Sequence, residues 1–98
     1  MNCIISPRAI QDMNAISSYF AEQNVEAGER LLRSFNDKCI NLRQFPNMGK
    51  SYEDLRPGLR GIPMNGYIIF YRAMEEELRI LRVISSRQDF AKEFKDDE

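Results

Sequence analysis

Asn65-Gly66 is the pair of residues that most tightly constrains this chain. Both residues tolerate positive φ, so together they close a two-residue hairpin between flanking strands. Before the pair, residues 59–64 read as a short strand. After it come a strand from Tyr67 to Arg72, a turn at Met74 to Glu76 and a strand from Glu77 to Ser85. Strict alternation would place Tyr67, Ile69 and Tyr71 on one face and Ile68 and Phe70 on the other. Leu78, Ile80 and Ile84 would oppose Leu81 and Val83 in the same way. Apolar residues on both faces are unusual for an antiparallel sheet with one side in water. Each face therefore needs a cover.

The first half of the chain supplies one. "CIIS" at residues 3–6 reads as an opening strand, and Ser6-Pro7 then marks a helix start, with Ser as cap and Pro preorganised at the first helical position. Ala9, Met13, Ile16 and Phe20 follow at helical spacing, with Asp12, Asn14 and Ser18 elsewhere on the wheel. Asn24 can cap a second helix from Val25 to Gln44. Its apolar stripe is Ala27, Leu31, Phe35, Cys39 and Leu42, widened by Leu32 and Ile40. Gly28 weakens that helix by about 1 kcal/mol relative to Ala, and permits close packing. Pro46 and Gly49 stop it, with Phe45 expected to plug its end. Two amphipathic helices joined this tightly form an antiparallel hairpin.

A helical hairpin covers one face of a small sheet. The other face calls for a dimer mate, a partner peptide or the chain's own C-terminal tail. In that tail Phe90 and Phe94 are four residues apart, which suits one or two turns of helix laying aromatics on the sheet. The closing residues 95–98 read as a solvated end.

Ninety-eight residues suffice for one domain, and 43% hydrophobic with 30% charged residues describe a soluble globular one. No run is apolar or long enough for a signal peptide or a membrane span, so the expected location is the cytoplasm. Cys3 and Cys39 are then reduced core thiols. Residues 55–88 carry six arginines (56, 60, 72, 79, 82 and 87) against three glutamates. Arginine suits planar, bidentate contacts with carboxylate or phosphate, but it equally lines solvated strand edges.

Histidine is absent, which removes the commonest general base and the commonest metal ligand. Ser85 and Ser86 have no activator nearby, "RPGLRG" lacks the spacing of a phosphate loop, and Glu75 to Glu77 occupy successive turn positions that do not converge on a metal. No catalytic residue, cofactor or metal is assigned on this basis. Arg-, Lys- and Tyr-assisted RNA cleavage is the one chemistry left open.

"ISPRAIQDMNAISSYFAEQN", "FPNMGK", "LRPGLRGIP", "GYIIFYR" and "LRILRVISSRQDF" together resemble the ParE branch of the RelE/ParE toxins of bacterial toxin–antitoxin systems, in order from about Ser6 to Phe90. The resemblance implies an α+β domain over residues 1–98, in the order β-α-α-β-β-β, with an antiparallel sheet carrying the helical hairpin on one face. It also implies neutralisation by a cognate antitoxin, typically with a ribbon-helix-helix DNA-binding part. ParE-type members poison DNA gyrase, whereas RelE-type members cleave messenger RNA on the ribosome. The RelE-type pattern is thin here. Arg60 stands without lysines on its strand, Ile68 follows Gly66-Tyr67, and no Tyr or His follows Tyr71, so only Arg87 and Arg82 fit it. The resemblance thus implies a non-catalytic gyrase poison, with an endoribonuclease or an inactive antitoxin-binding module as alternatives. Arg82, Arg87 and Phe90 are the expected gyrase contacts. Arg60, Tyr71, Ile68 and Phe70 are the expected antitoxin contacts. Where many ParE-like chains have His-Gly after the last strand, this one has Ser85-Ser86.

Overall fold

The structure is a computed structural model that describes residues 1–95. Strand β1 (Asn2–Ile5) leads into helices α1 (Pro7–Gln23) and α2 (Val25–Gln44). Strands β2 (Lys50–Ser51), β3 (Leu59–Met64), β4 (Tyr67–Ala73) and β5 (Glu77–Ser85) follow, and α3 (Phe90–Lys95) closes the described chain.

The helix boundaries have local causes. Ser6 Oγ accepts from Ala9 N–H at 3.1 Å, capping α1, and donates to the Leu81 carbonyl at 3.0 Å. Asn24 is shared by both helices: its N–H closes α1 on the Phe20 carbonyl, and its Oδ1 opens α2 by accepting from Ala27 N–H. A Cβ on Gly28 would lie 2.9 Å from that of Phe20, so glycine is what lets the two helices meet at the turn.

The five strands run in the order β1-β5-β4-β3-β2. Pairing is antiparallel throughout β2 to β5, but β1 lies parallel to β5, so the sheet is mixed at that edge. Asn65, at φ 48°, and Gly66, at φ 87°, form the β3–β4 turn in the left-handed region, as their residue types require. Phe70 pairs with Arg82 and Tyr71 with Ile80, which leaves Leu81 as the extra residue of a bulge. The bulge reverses the alternation expected for the far half of β5. Leu78, Ile80 and Val83 face the helices, while Leu81 and Ile84 face the opposite side.

The helical hairpin buries Ala9, Met13, Ile16, Leu31 and Leu42 against Ile69, Tyr71 and their neighbours. Cys3 and Cys39 are free thiols packed beside each other at this core, and burial pushes Cys39 up to about 12. On the opposite face, Phe94 and Phe90 of α3 pack with Tyr52 and Leu55 over Leu59, Ile68, Phe70 and Ile84. The second cover of the two-sided sheet is thus the chain's own tail. Phe70 is its centre, meeting the rings of Tyr52, Phe90 and Phe94 edge to face, each at 5.0 Å between centroids.

Two residues assigned to the apolar stripe, and the expected plug of the helix end, do not reach the core. Leu32 and Ile40 are 47% and 46% exposed, because the sheet meets only the narrower side of α2. Phe45, expected to plug the helix end, is 62% exposed. The loop after it is tied to the sheet through Tyr71 and Arg60.

Candidate interaction surfaces

The arginines of residues 55–88 are mostly occupied within the fold. Arg56 donates to the Phe94 carbonyl at 2.9 Å and lies over the Phe94 ring. Arg72 donates to the Pro57 carbonyl at 2.8 Å. Arg79 meets Glu77 at 2.7 Å on the exposed side, a pairing of small energetic weight. Arg87 is exposed and has no side-chain partner among the described residues. Only its backbone N–H is engaged, donating to Ser85 Oγ. The choice between interface and solvated edge therefore has a third answer for most of them. They tie loops and α3 to the sheet.

Arg82 was an expected surface contact, and the structure places it inside. It is 3% exposed and its guanidinium grips Asp12 through two bonds, of 2.8 and 3.1 Å. The same carboxylate accepts from Val83 N–H at 2.9 Å, filling a strand-edge donor that β1 does not reach. Arg82 also donates to the Glu93 carbonyl at 3.4 Å. With Arg56 on the next carbonyl, two cations thus hold the C-terminal end of α3, where the helix dipole is negative. Sequence reading placed Asp12 only off the apolar face of α1. Its position one residue before Met13, at the margin of the α1 stripe, was the available signal, but its partner lies 70 residues away.

Tyr71 and Arg60 act together on the loop between α2 and β2. The Tyr71 hydroxyl donates to the Pro46 carbonyl at 2.7 Å and accepts from Gly49 N–H at 2.9 Å. Burial lifts its pKa, and the Gly49 N–H and the Arg60 charge pull it partly back. Arg60, paired across the sheet with Tyr71, donates to the Gly49 carbonyl at 2.7 Å and to the Asn47 carbonyl at 3.4 Å. A Cβ on Gly49 would lie 2.6 Å from the Tyr71 hydroxyl and 2.9 Å from the Gly61 carbonyl, so only glycine fits under this clasp. Tyr71→Phe should remove both hydroxyl bonds while keeping the ring. A loss of about 1–3 kcal/mol is expected in urea unfolding, because the Gly49 N–H and Pro46 carbonyl lose their partner.

Ile68 and Phe70 are buried beneath α3, so neither is open to a partner while that helix is seated. Tyr71 is fully buried. Of the expected contacts, only Arg60, Arg87 and Phe90 retain exposed surface. Among the described residues no helix is long and apolar enough to cross a membrane, and no cluster of three or more acidic or Cys side chains could hold a metal ion.

A helical hairpin on one face of a five-stranded sheet and a short C-terminal helix on the other make up the fold. A solved chain described as the chromosomal ParDE TA system of P. aeruginosa shares this fold, with a TM-score of 0.73 at 20% identity over 87% of this chain and 95% of that one. The family model described as "ParE toxin of type II toxin-antitoxin system, parDE" matches residues 3–90, and the chain belongs to that family. Toxin ParE3 of Caulobacter vibrioides is 29% identical over 93 residues, covering 93% of each chain.

Proposed function

We propose that this protein is a cytoplasmic toxin that inhibits DNA gyrase, and so replication, when it is not neutralised by a cognate antitoxin of the ribbon-helix-helix DNA-binding type. The observation that carries this reading is the occupation of the polar groups that RNA cleavage would draw on. Arg82 is spent on Asp12, Arg60 on the Gly49 carbonyl, and the Tyr71 hydroxyl on Pro46 and Gly49. A phosphoryl-transfer centre needs several unspent cations and a proton acceptor converging on one point. Arg87, by contrast, is exposed with no side-chain partner among the described residues.

On this reading Arg87 and Phe90, at the exposed end of β5 and the start of α3, contact gyrase directly. Arg82 contributes by holding α3 in place. An antitoxin segment reaches Ile68 and Phe70 by lifting α3 from the sheet, and Arg60 and Tyr71 serve it through the loop they shape. The test is a supercoiling assay with purified toxin. Wild-type protein should block supercoiling and leave cleaved DNA, antitoxin should reverse this, and Arg87→Ala should weaken inhibition about tenfold, as for an arginine hot spot. Normal supercoiling at toxin excess, together with cut messenger RNA in a translation extract, would replace this reading with the endoribonuclease one.

A further inference from the structure

The α2–β2 loop presents an anomaly. Phe45 is 62% exposed and Met48 is 46% exposed, three residues apart on one tight turn closed by Met48 N–H on the Phe45 carbonyl. The same turn is among the most heavily secured loops in the molecule. Phe45 N–H is bonded to the Asn41 carbonyl, Tyr71 clasps Pro46 and Gly49, and Arg60 holds Asn47 and Gly49 from below. A loop that served only to connect α2 to β2 would turn its aromatic inward, where burial would stabilise it. Instead, a buried tyrosine and a half-buried arginine fix a turn whose outward products are an exposed aromatic ring and an exposed thioether.

We propose that Phe45 and Met48 form a preformed plug that seats in an apolar pocket with an acidic rim on the target enzyme. This rests on the gyrase reading above and adds a contact to it. The charge nearest the plug in sequence selects the rim: between Asp37 and Glu53 the chain carries Lys38, Arg43, which donates to the Met1 carbonyl, and Lys50, with no acid, and Arg60 lies underneath. The shape selects the kind of partner. Two apolar side chains held outward on a secured turn suit a hollow in a folded surface, and the gyrase reading supplies a folded target. Rigidity also lowers the entropy lost on docking, which is what makes a small aromatic tip an effective anchor.

The test uses the full chain carrying Phe45→Ala with Met48→Ala, alongside Phe45→Leu. Both side chains are solvent-exposed, so melting temperature should match wild type, and antitoxin binding should be unchanged. The concentration needed to block gyrase supercoiling should rise about tenfold or more for the double variant, and little for Phe45→Leu, which keeps an apolar tip. Arg43→Glu with Lys50→Glu should weaken inhibition most at low salt, where rim charges act most strongly. Wild-type protein inert towards gyrase would remove the target reading and this contact with it. An active wild type with an equally active double variant would overturn the plug alone, as would a parallel loss of antitoxin binding.

Discussion

Asp12→Ala should be the most damaging single substitution of a polar residue in this protein, lowering stability by about 3–5 kcal/mol. The carboxylate accepts three bonds, from Arg82 Nε, Arg82 Nη2 and Val83 N–H, while Arg82 keeps only 4% of its side-chain surface in water. Removing Asp12 takes from the buried guanidinium the carboxylate that its Nε and Nη2 grip, and leaves a strand-edge N–H without an acceptor. Both defects cost free energy that no local rearrangement supplies, since β1 ends its pairing at Ile80. Denaturant melts of Asp12→Ala and of Asp12→Ala with Arg82→Met separate the contributions. The double variant should recover part of the loss, because a buried apolar side chain does not need the carboxylate that the guanidinium grips. An Asp12→Ala protein as stable as wild type would mean that the other contacts of Arg82 suffice and the Asp12 pair is superficial.

The elements were legible in the sequence because their signals are local. Ser6-Pro7, Asn24 and Asn65-Gly66 each set a boundary within a few residues, and each boundary stands where these residues put it. The need for covers on both faces was also legible from composition along β4. What was not legible depends on contacts distant in sequence. The bulge at Leu81 arises from pairing with Phe70 and Tyr71, and it exchanges the faces of Val83 and Ile84. Asp12 and Arg82 are 70 positions apart, and nothing in either neighbourhood announces the other. The arginines misled for a related reason: abundance suggested a surface, but guanidinium groups with several donors are equally suited to collecting loop carbonyls, which is what Arg56, Arg60 and Arg72 do.

The two arginine clasps divide the molecule's outward features between them. Arg56 and Arg82 hold the carbonyl end of α3, and so determine whether Ile68 and Phe70 are covered. Arg60, with Tyr71, holds the loop that displays Phe45 and Met48. A partner that lifts α3 need not disturb the loop, because the two sites use different arginines.

Phe70→Ala separates these two regions experimentally, and should cost about 3–5 kcal/mol, the range for a fully buried Phe. Its ring is 0% exposed and meets three others at 5.0 Å, so truncation opens a cavity that Tyr52, Phe90 and Phe94 cannot all collapse into. Phe94→Ala removes a ring of the same size from the same cluster, but its loss should be smaller. A six-residue helix that is no part of the sheet's strand pairing can detach while the sheet stays folded, so the penalty is bounded by the free energy of seating α3. Hydrogen exchange distinguishes the two. Phe94→Ala should raise exchange in residues 90–95 and leave β3 to β5 protected, with increased binding of an apolar dye at the uncovered face. Phe70→Ala should lower protection throughout the sheet, because β4 lies between β3 and β5 and its packing is shared by both. Equal, global destabilisation by the two variants would show instead that α3 folds and unfolds as one unit with the sheet, and that no partner could lift it without unfolding the toxin.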